Sequence, residues 1–357
     1  MTKIDPAFPM PRVGRLPSGA RDAISDVAGV TVGHATLADG DCQTGVTVVR
    51  PHAGNVYTDK VPAAASVING FGKSIGLVQV SELGVLETPI ALTNTFGVGT
   101  VANAQIRQAI AADPQIGREW ATVNPLVFEC NDGYLNDIQT LSVSEAHYLA
   151  AYEAAGVDFA QGAVGAGRGM SSFSFKGGIG SASRIAEIQP GQRYTVGALV
   201  LSNFGRLPLL TIAGRPFGKR FIEQQASETG PEKGSIILLL ATDAPLDARQ
   251  LGRLSLRAAA GLARTGSVYG HGSGDISMAF STAYTVPHQA DRAMPAQAML
   301  HEARIDKLFE AAAEACEQAI VAALWRAETV QGRDGHVRQA ITEAIPDWRR
   351  WLDDRDL

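Results

Sequence analysis

The sequence predicts an α/β protein whose sheet layers are covered by helices. Three observations carry this expectation. Short runs rich in β-branched residues are bounded by Gly, Asp and Pro, which is the pattern of strands. Other windows repeat apolar residues at three- and four-residue spacing, which is the pattern of amphipathic helices. Many of the strand-like runs also follow one another directly. That favours an α/β sandwich over a doubly wound sheet, in which strands and helices alternate.

Taken in order, the first twenty residues hold several prolines and little periodicity, and read as an extended arm. Strands are predicted over 30–34, 45–49, 64–70 and 90–94. A helix follows over 98–112, with Val101, Ile106 and Ile110 as its apolar stripe and Asp113-Pro114 as its stop. Next come a strand over 126–130 and a helix over about 144–155, stopped by Gly156. Residues 162–180 are very Gly-rich and receive no element. The run 194–203 is a buried strand ending in the polar Asn203, and 218–234 reads as a polar connector. Residues 236–241 form the most apolar strand. Leu246, Leu251, Leu254, Ala258 and Leu262 then recur at helical spacing after Pro245, which sits where a helix can start. A strand over 277–284 and an Ala-rich helix over 303–328 complete the pattern. No internal repeat of solenoid period is present.

Composition bounds the function. The 357 residues are 45% apolar and 19% charged, which is globular rather than disordered. A formal net charge of −5 argues against nucleic acid as the main partner, because that role needs a basic face. The three cysteines, Cys42, Cys130 and Cys316, are far apart and form no CxxC. Such a set suits a reducing compartment. With no apolar signal-like stretch at the start and no run near the roughly 20 apolar residues of a membrane span, a soluble cytoplasmic protein is expected.

Several familiar motifs fail. Gly72-Lys73-Ser74 resembles the end of a P-loop, but Val67 stands where its first Gly belongs. Gly165-Ala166-Gly167 would open a dinucleotide fingerprint, but Met170 occupies the third Gly position. No Ser lies three residues before a Lys, and His301-Glu302 is followed by Ile305 where a zincin needs His. The scattered histidines give no expectation of a metal site or other cofactor. A hydrolase built on this chain therefore has no obvious imidazole to activate a serine.

That absence sharpens the junction Gly234-Ser235, where a charged loop turns into the apolar strand. Ser235 is either loop punctuation or a nucleophile freed by a cut before it. After such a cut, Ser235 would carry a hydroxyl and an α-amine with an ordinary pKa of about 7.7–8.0, near the working pH of a general base. Gly234, lacking Cβ, would let its carbonyl be approached closely. Further on, Gly270-His271-Gly272-Ser273-Gly274-Asp275 leads into a strand, and Ser273 and Asp275, two apart, point the same way. The pair can be read as an Asx-type turn, or as a hydroxyl and carboxylate supporting Ser235.

GSIILLLATDAPL at 234–246 and GSGDISMAFST at 272–282 together resemble the self-processing N-terminal-serine aminopeptidases. These include the L-aminopeptidase/D-amidase-esterases and the β-peptidyl aminopeptidases. Residues 23–34, 129–137, 175–184 and 194–203 share the likeness, which spans about residues 20–330. The resemblance implies a four-layer αββα sandwich and one hydrolase domain over 1–357. It implies self-cleavage between Gly234 and Ser235 into chains 1–234 and 235–357, and a homotetramer of processed units. The implied activity is release of N-terminal residues from short peptides, amides or esters, with no cofactor. By motif match Ser235 is the nucleophile, Ser273 and Asp275 support it, and Asn203 helps form the oxyanion hole. Recognition of a free amine calls for a carboxylate, for which Glu129 and then Asp132 are the candidates, with Tyr134 adding a hydroxyl to the pocket. A small-molecule amidase or acyltransferase of the same fold, and a non-catalytic binding protein, are the alternatives.

Overall fold

A computed structural model describes residues 10–225 and 234–353 of the chain. The first part of the expected N-terminal arm and residues 226–233 of the expected connector lie outside the described residues.

Two sheets stack face to face. The smaller holds β1 (Thr31–Asp39), β2 (Cys42–Arg50), β4 (Ile90–Asn94) and β5 (Val127–Cys130) in the order β1-β2-β4-β5. The larger runs from β3 (Asp59–Gly70) through β9 (Ser273–Ser281), β8 (Gly234–Thr242) and β7 (Gln192–Asn203) to β6 (Gly178–Gln189). Most neighbours are antiparallel, but β4 with β5 and β8 with β9 are parallel.

Three cores set the layering. Helices α1 (Val98–Ala112) and α2 (Glu145–Glu153) place Val101, Ala104, Tyr148 and Ala151 on Val46, Val48, Ala91 and Val127 of the small sheet. Between the sheets, Val49, Leu92 and Phe128 meet Leu199, Leu201, Ile237, Leu239 and Phe280. On the far face, α4 (Ala248–Arg264) and α5 (Asp306–Trp325) bring Leu251, Leu254, Ala258, Ala315 and Ala319 onto Ala198, Val200, Leu238 and Leu240. The order is therefore helix, sheet, sheet, helix, the expected four layers. Strand β8 shows why its sequence is apolar throughout. Ile237, Leu239 and Ala241 face the inter-sheet core while Ile236, Leu238 and Leu240 face the helices, so neither side of the pleat meets water.

The helix over 98–112 and the strand over 90–94 fall where the sequence places them. Elsewhere the boundaries shift. Strand β9 starts at Ser273 rather than 277, because pairing with β3 and β8 on both sides overrides the local turn signals of Gly272 and Gly274. The Gly-rich stretch contains a short hairpin, Ser171–Ser172 with Phe175–Lys176, and opens into β6. Part of the expected connector is instead helix α3 (Phe217–Gln225), held by Phe217 packing on Trp325 and Trp351.

Candidate active site

The ends of three adjacent inner strands of the large sheet converge. Strand β7 ends at Asn203, which pairs with Ser235 at the start of β8. On the other side of β8, Gly234 pairs with Ser273 and Ser235 with Gly274 in parallel register. Residues distant in sequence are thus brought together by ladder register, before any side-chain contact is considered.

Ser235 is 6% exposed. Its Oγ donates to the carbonyl of Gly234 at 2.8 Å and accepts from the Gly274 N–H at 3.2 Å. Both neighbouring glycines are required by space. A Cβ at 234 would stand 2.1 Å from the Asn203 carbonyl oxygen, and one at 274 would stand 2.6 Å from the Phe71 carbonyl oxygen and 3.0 Å from Ser235 Oγ. Close approach of the Asn203 backbone is what the structure asks of Gly234.

Behind Ser235, the fully buried Ser273 donates to Asp275 Oδ1 at 2.5 Å. The two side chains share a face as their spacing predicts, but they do so inside β9 rather than in a turn before it. Asn69, which the sequence reading missed, clamps the entry to β9. Its Nδ2 donates to the carbonyls of Gly270 (3.0 Å), His271 (3.3 Å) and Ser273, sharing two hydrogens among three acceptors. The only sequence signal for it is an Asn-Gly pair ending a predicted strand.

Asn203 is held at both ends of its amide. Oδ1 accepts from the Ser171 N–H at 2.8 Å, and Nδ2 donates to the Asn131 carbonyl at 2.9 Å. Nδ2 carries a second hydrogen, and the side chain lines the cavity above Ser235. That cavity has a volume of about 650 Å³, within the range of small-molecule sites. Phe71, Phe173, Phe204 and Leu207 make its apolar wall. Phe173 and Ser174 sit at φ 52° and 68° in the hairpin turn, where Asn-Gly is the usual pair, and Phe173 is held there by an edge contact with Phe204 at 4.9 Å.

Glu129 reaches the same cavity from the end of the small sheet. It is 3% exposed, with one carboxylate oxygen accepting from the Lys73 N–H at 2.8 Å and the other from the Thr95 hydroxyl. Tyr134 also lines the cavity, its ring stacked on His336 at 4.5 Å and covered by the Arg338 guanidinium at 3.6 Å. Asp132 does not line the cavity. It is fully buried, accepts from Asn136 Nδ2 at 3.1 Å, and burial pushes its carboxyl up to about 6. Thr95, Asn131, Ser171 and Arg338 join the site without having been singled out, since each arrives from a segment whose local pattern reads as an ordinary strand end or turn.

A second polar cluster backs this wall. Lys176 is fully buried, and its ammonium donates to the carbonyls of Gly167 (2.9 Å), Met170 (2.7 Å) and Gly177 (2.9 Å). Burial holds it well below the ordinary lysine range. Cys130 lies next to Glu129 in sequence but is buried, and burial raises its thiol well above normal, which leaves it unreactive.

The pattern described as peptidase family S58 matches residues 22–338. A β-peptidyl aminopeptidase, BapA, of Sphingosinicella microcystinivorans is 39% identical over 350 residues, covering 91% of this chain and 87% of its own. Among solved structures, the PH0078 protein of Pyrococcus horikoshii OT3 superposes with a TM-score of 0.89 at 48% identity, covering 96% of this chain and 97% of its own. An L-aminopeptidase/D-Ala-esterase/amidase from Ochrobactrum anthropi has a TM-score of 0.85 at 33% identity, covering 96% and 98%. It is described as a prototype of the serine aminopeptidases and a variant of the Ntn hydrolase fold.

Proposed function

This chain belongs to peptidase family S58 and is a hydrolase of the aminopeptidase kind, and from that premise we propose that it activates itself by breaking the Gly234–Ser235 bond. The observation that carries the proposal is Ser235 Oγ lying against its own preceding carbonyl at 2.8 Å, at the floor of the cavity.

In the first stage Ser235 Oγ attacks the Gly234 carbonyl carbon. The C–N bond breaks as the nitrogen takes up a proton, leaving Gly234 esterified to Oγ. That step already frees the Ser235 α-amine; water then cleaves the ester, which frees the hydroxyl and leaves a carboxylate on Gly234. In the second stage that amine accepts the hydroxyl proton while Oγ attacks a substrate carbonyl. The developing oxyanion takes the second Nδ2 hydrogen of Asn203, whose amide is already oriented by Ser171 and Asn131. The Ser273–Asp275 pair supports the positive charge on the Ser235 nitrogen, and Glu129 receives the substrate's ammonium. The departing amine takes the proton, and water releases the acyl group from Oγ. Substrates are short peptides, amides or esters with a free amine.

Segments 1–234 and 235–357 act as one hydrolase unit, because β8 and β9 lie between β7 and β3 in one sheet and cannot leave it without breaking two ladders. The processed unit is proposed to form a homotetramer in the cytoplasm, a setting that the three free cysteines suit. Light scattering of the purified protein tests the assembly. For the chemistry, a denaturing gel should show two bands of roughly two-thirds and one-third of the chain. Ser235→Ala should give one band and no turnover; a fully active Ser235→Ala would place the nucleophile elsewhere. A panel of amino-acyl p-nitroanilides with free and blocked amines tests Glu129's role. Equal rates on blocked substrates would make the enzyme a plain amidase.

A further inference from the structure

The cavity has more positive charge than the chemistry above uses. Among the described residues, one carboxylate, that of Glu129, lines the cavity beside Lys73, Arg206 and Arg338. None of these three cations lies within ion-pair distance of a carboxylate among the described residues. Lys73 leans on the Phe71 ring at 4.6 Å, and Arg338 packs on Tyr134 at 3.6 Å. Arg338 is the most firmly placed. Its half-buried guanidinium is fixed by the aromatic face, and its Nε is buried with no hydrogen-bond partner. A planar donor fork, stacked on a ring and with no carboxylate in ion-pair distance among the described residues, is matched to a carboxylate.

The direction of the charge follows from the reading of the site, on which this inference rests. The substrate's ammonium goes to Glu129 and its scissile carbonyl to Ser235. A negative group that meets the cations then belongs on the departing side. We propose that Arg338, assisted by Arg206 and Lys73, binds the free C-terminal carboxylate of the leaving residue. The preferred substrates are therefore dipeptides with an uncapped C-terminus, rather than amides or longer chains. Glu129 and Arg338 thereby read the two charged ends of one small zwitterion, and the cavity of about 650 Å³ limits what fits between them.

The test compares kcat/KM for X-Ala and for its C-terminal amide X-Ala-NH2, where X is the N-terminal residue preferred in the anilide panel. The free acid should be favoured by about tenfold or more, the effect of a charge-assisted hydrogen bond. The preference should shrink as salt is raised, since the cations are partly exposed. Arg338→Gln should bring the ratio close to one, and Arg206→Gln should lower it less. Equal rates on acid and amide in the wild-type enzyme would overturn the proposal and leave the aminopeptidase reading standing. Failure to cleave either dipeptide or any anilide would overturn both. If Arg338→Gln does not fold, the wild-type ratio, its salt dependence and Arg206→Gln still decide the matter.

Discussion

The Ser235 cluster and the Lys176 cluster are both polar and buried, and both line or back the same wall, yet they are built by opposite rules. Lys176 spends its three ammonium hydrogens on the carbonyls of Gly167, Met170 and Gly177. Nothing remains for a ligand, and the ammonium ties three points of a Gly-rich stretch together. The Ser235 cluster keeps capacity in hand. Asn203 uses one Nδ2 hydrogen on Asn131 and keeps the other, and the Ser235 hydroxyl rests on the bond it would cut. Saturated polar groups make a frame, whereas groups with a free donor or acceptor facing a cavity make a site.

Removing a member of each cluster should therefore have different consequences. Ser235→Ala is expected to abolish both chain cutting and turnover, by at least about 10⁴-fold, with the melting temperature nearly unchanged. Assay and calorimetry on one sample read both. Lys176→Met should do the reverse and act through stability. Three buried carbonyls lose their donor, which costs on the order of 3–5 kcal/mol, and activity should fall only as the folded fraction falls. A stable Lys176→Met with normal unfolding would break the contrast.

Asn203→Ala sits between the two. Loss of the oxyanion donor should lower kcat by about 10²–10³-fold with little change in KM. Loss of the acceptor for the Ser171 N–H should cost about 1 kcal/mol of stability. The smallest effect concerns a frame residue with a pH signature. His34 hydrogen-bonds Thr47 at 2.9 Å and the Ala160 carbonyl at 3.0 Å, and burial lowers its pKa to about 4. A folded-state pKa below the unfolded value of 6.5 gives stability that is present above about pH 6.5 and is lost as pH falls toward 4. Denaturant titrations between pH 7 and 4 should show a loss of at most about 3 kcal/mol from this group, absent in His34→Gln.

What the sequence disclosed follows the same division. Ser235 was legible because Gly-Ser stands immediately before a run that is apolar on both faces. Asn203 and Glu129 stood out as polar residues near the ends of buried strands, though the roles assigned to them rest on the family likeness. Sheet layers under helices were foreseen in outline, because strands follow strands in the first hundred residues and helical spacing dominates after Pro245; the count of four layers rests on the family likeness. Asp132 was misleading for a physical reason. It lies three residues from Glu129, but it turns into the interior beneath Gly169, where a Cβ would stand 2.7 Å from its own. Asn69 and Arg338 were illegible, since each acts across more than a hundred residues of sequence, and only ladder register or ring stacking brings it to the site. The start of β9 was missed because glycines at 272 and 274 signal a turn locally, while Gly274 in the strand leaves room for the Phe71 carbonyl and Ser235 Oγ.

The central claim is that the base for Ser235 is the nitrogen released when the chain cuts itself. N-terminal sequencing and intact-mass measurement of the fully active protein address it directly. Two polypeptides in equal amounts are expected, the second beginning Ser-Ile-Ile-Leu. Full specific activity in a preparation containing only the unbroken 357-residue chain would contradict it.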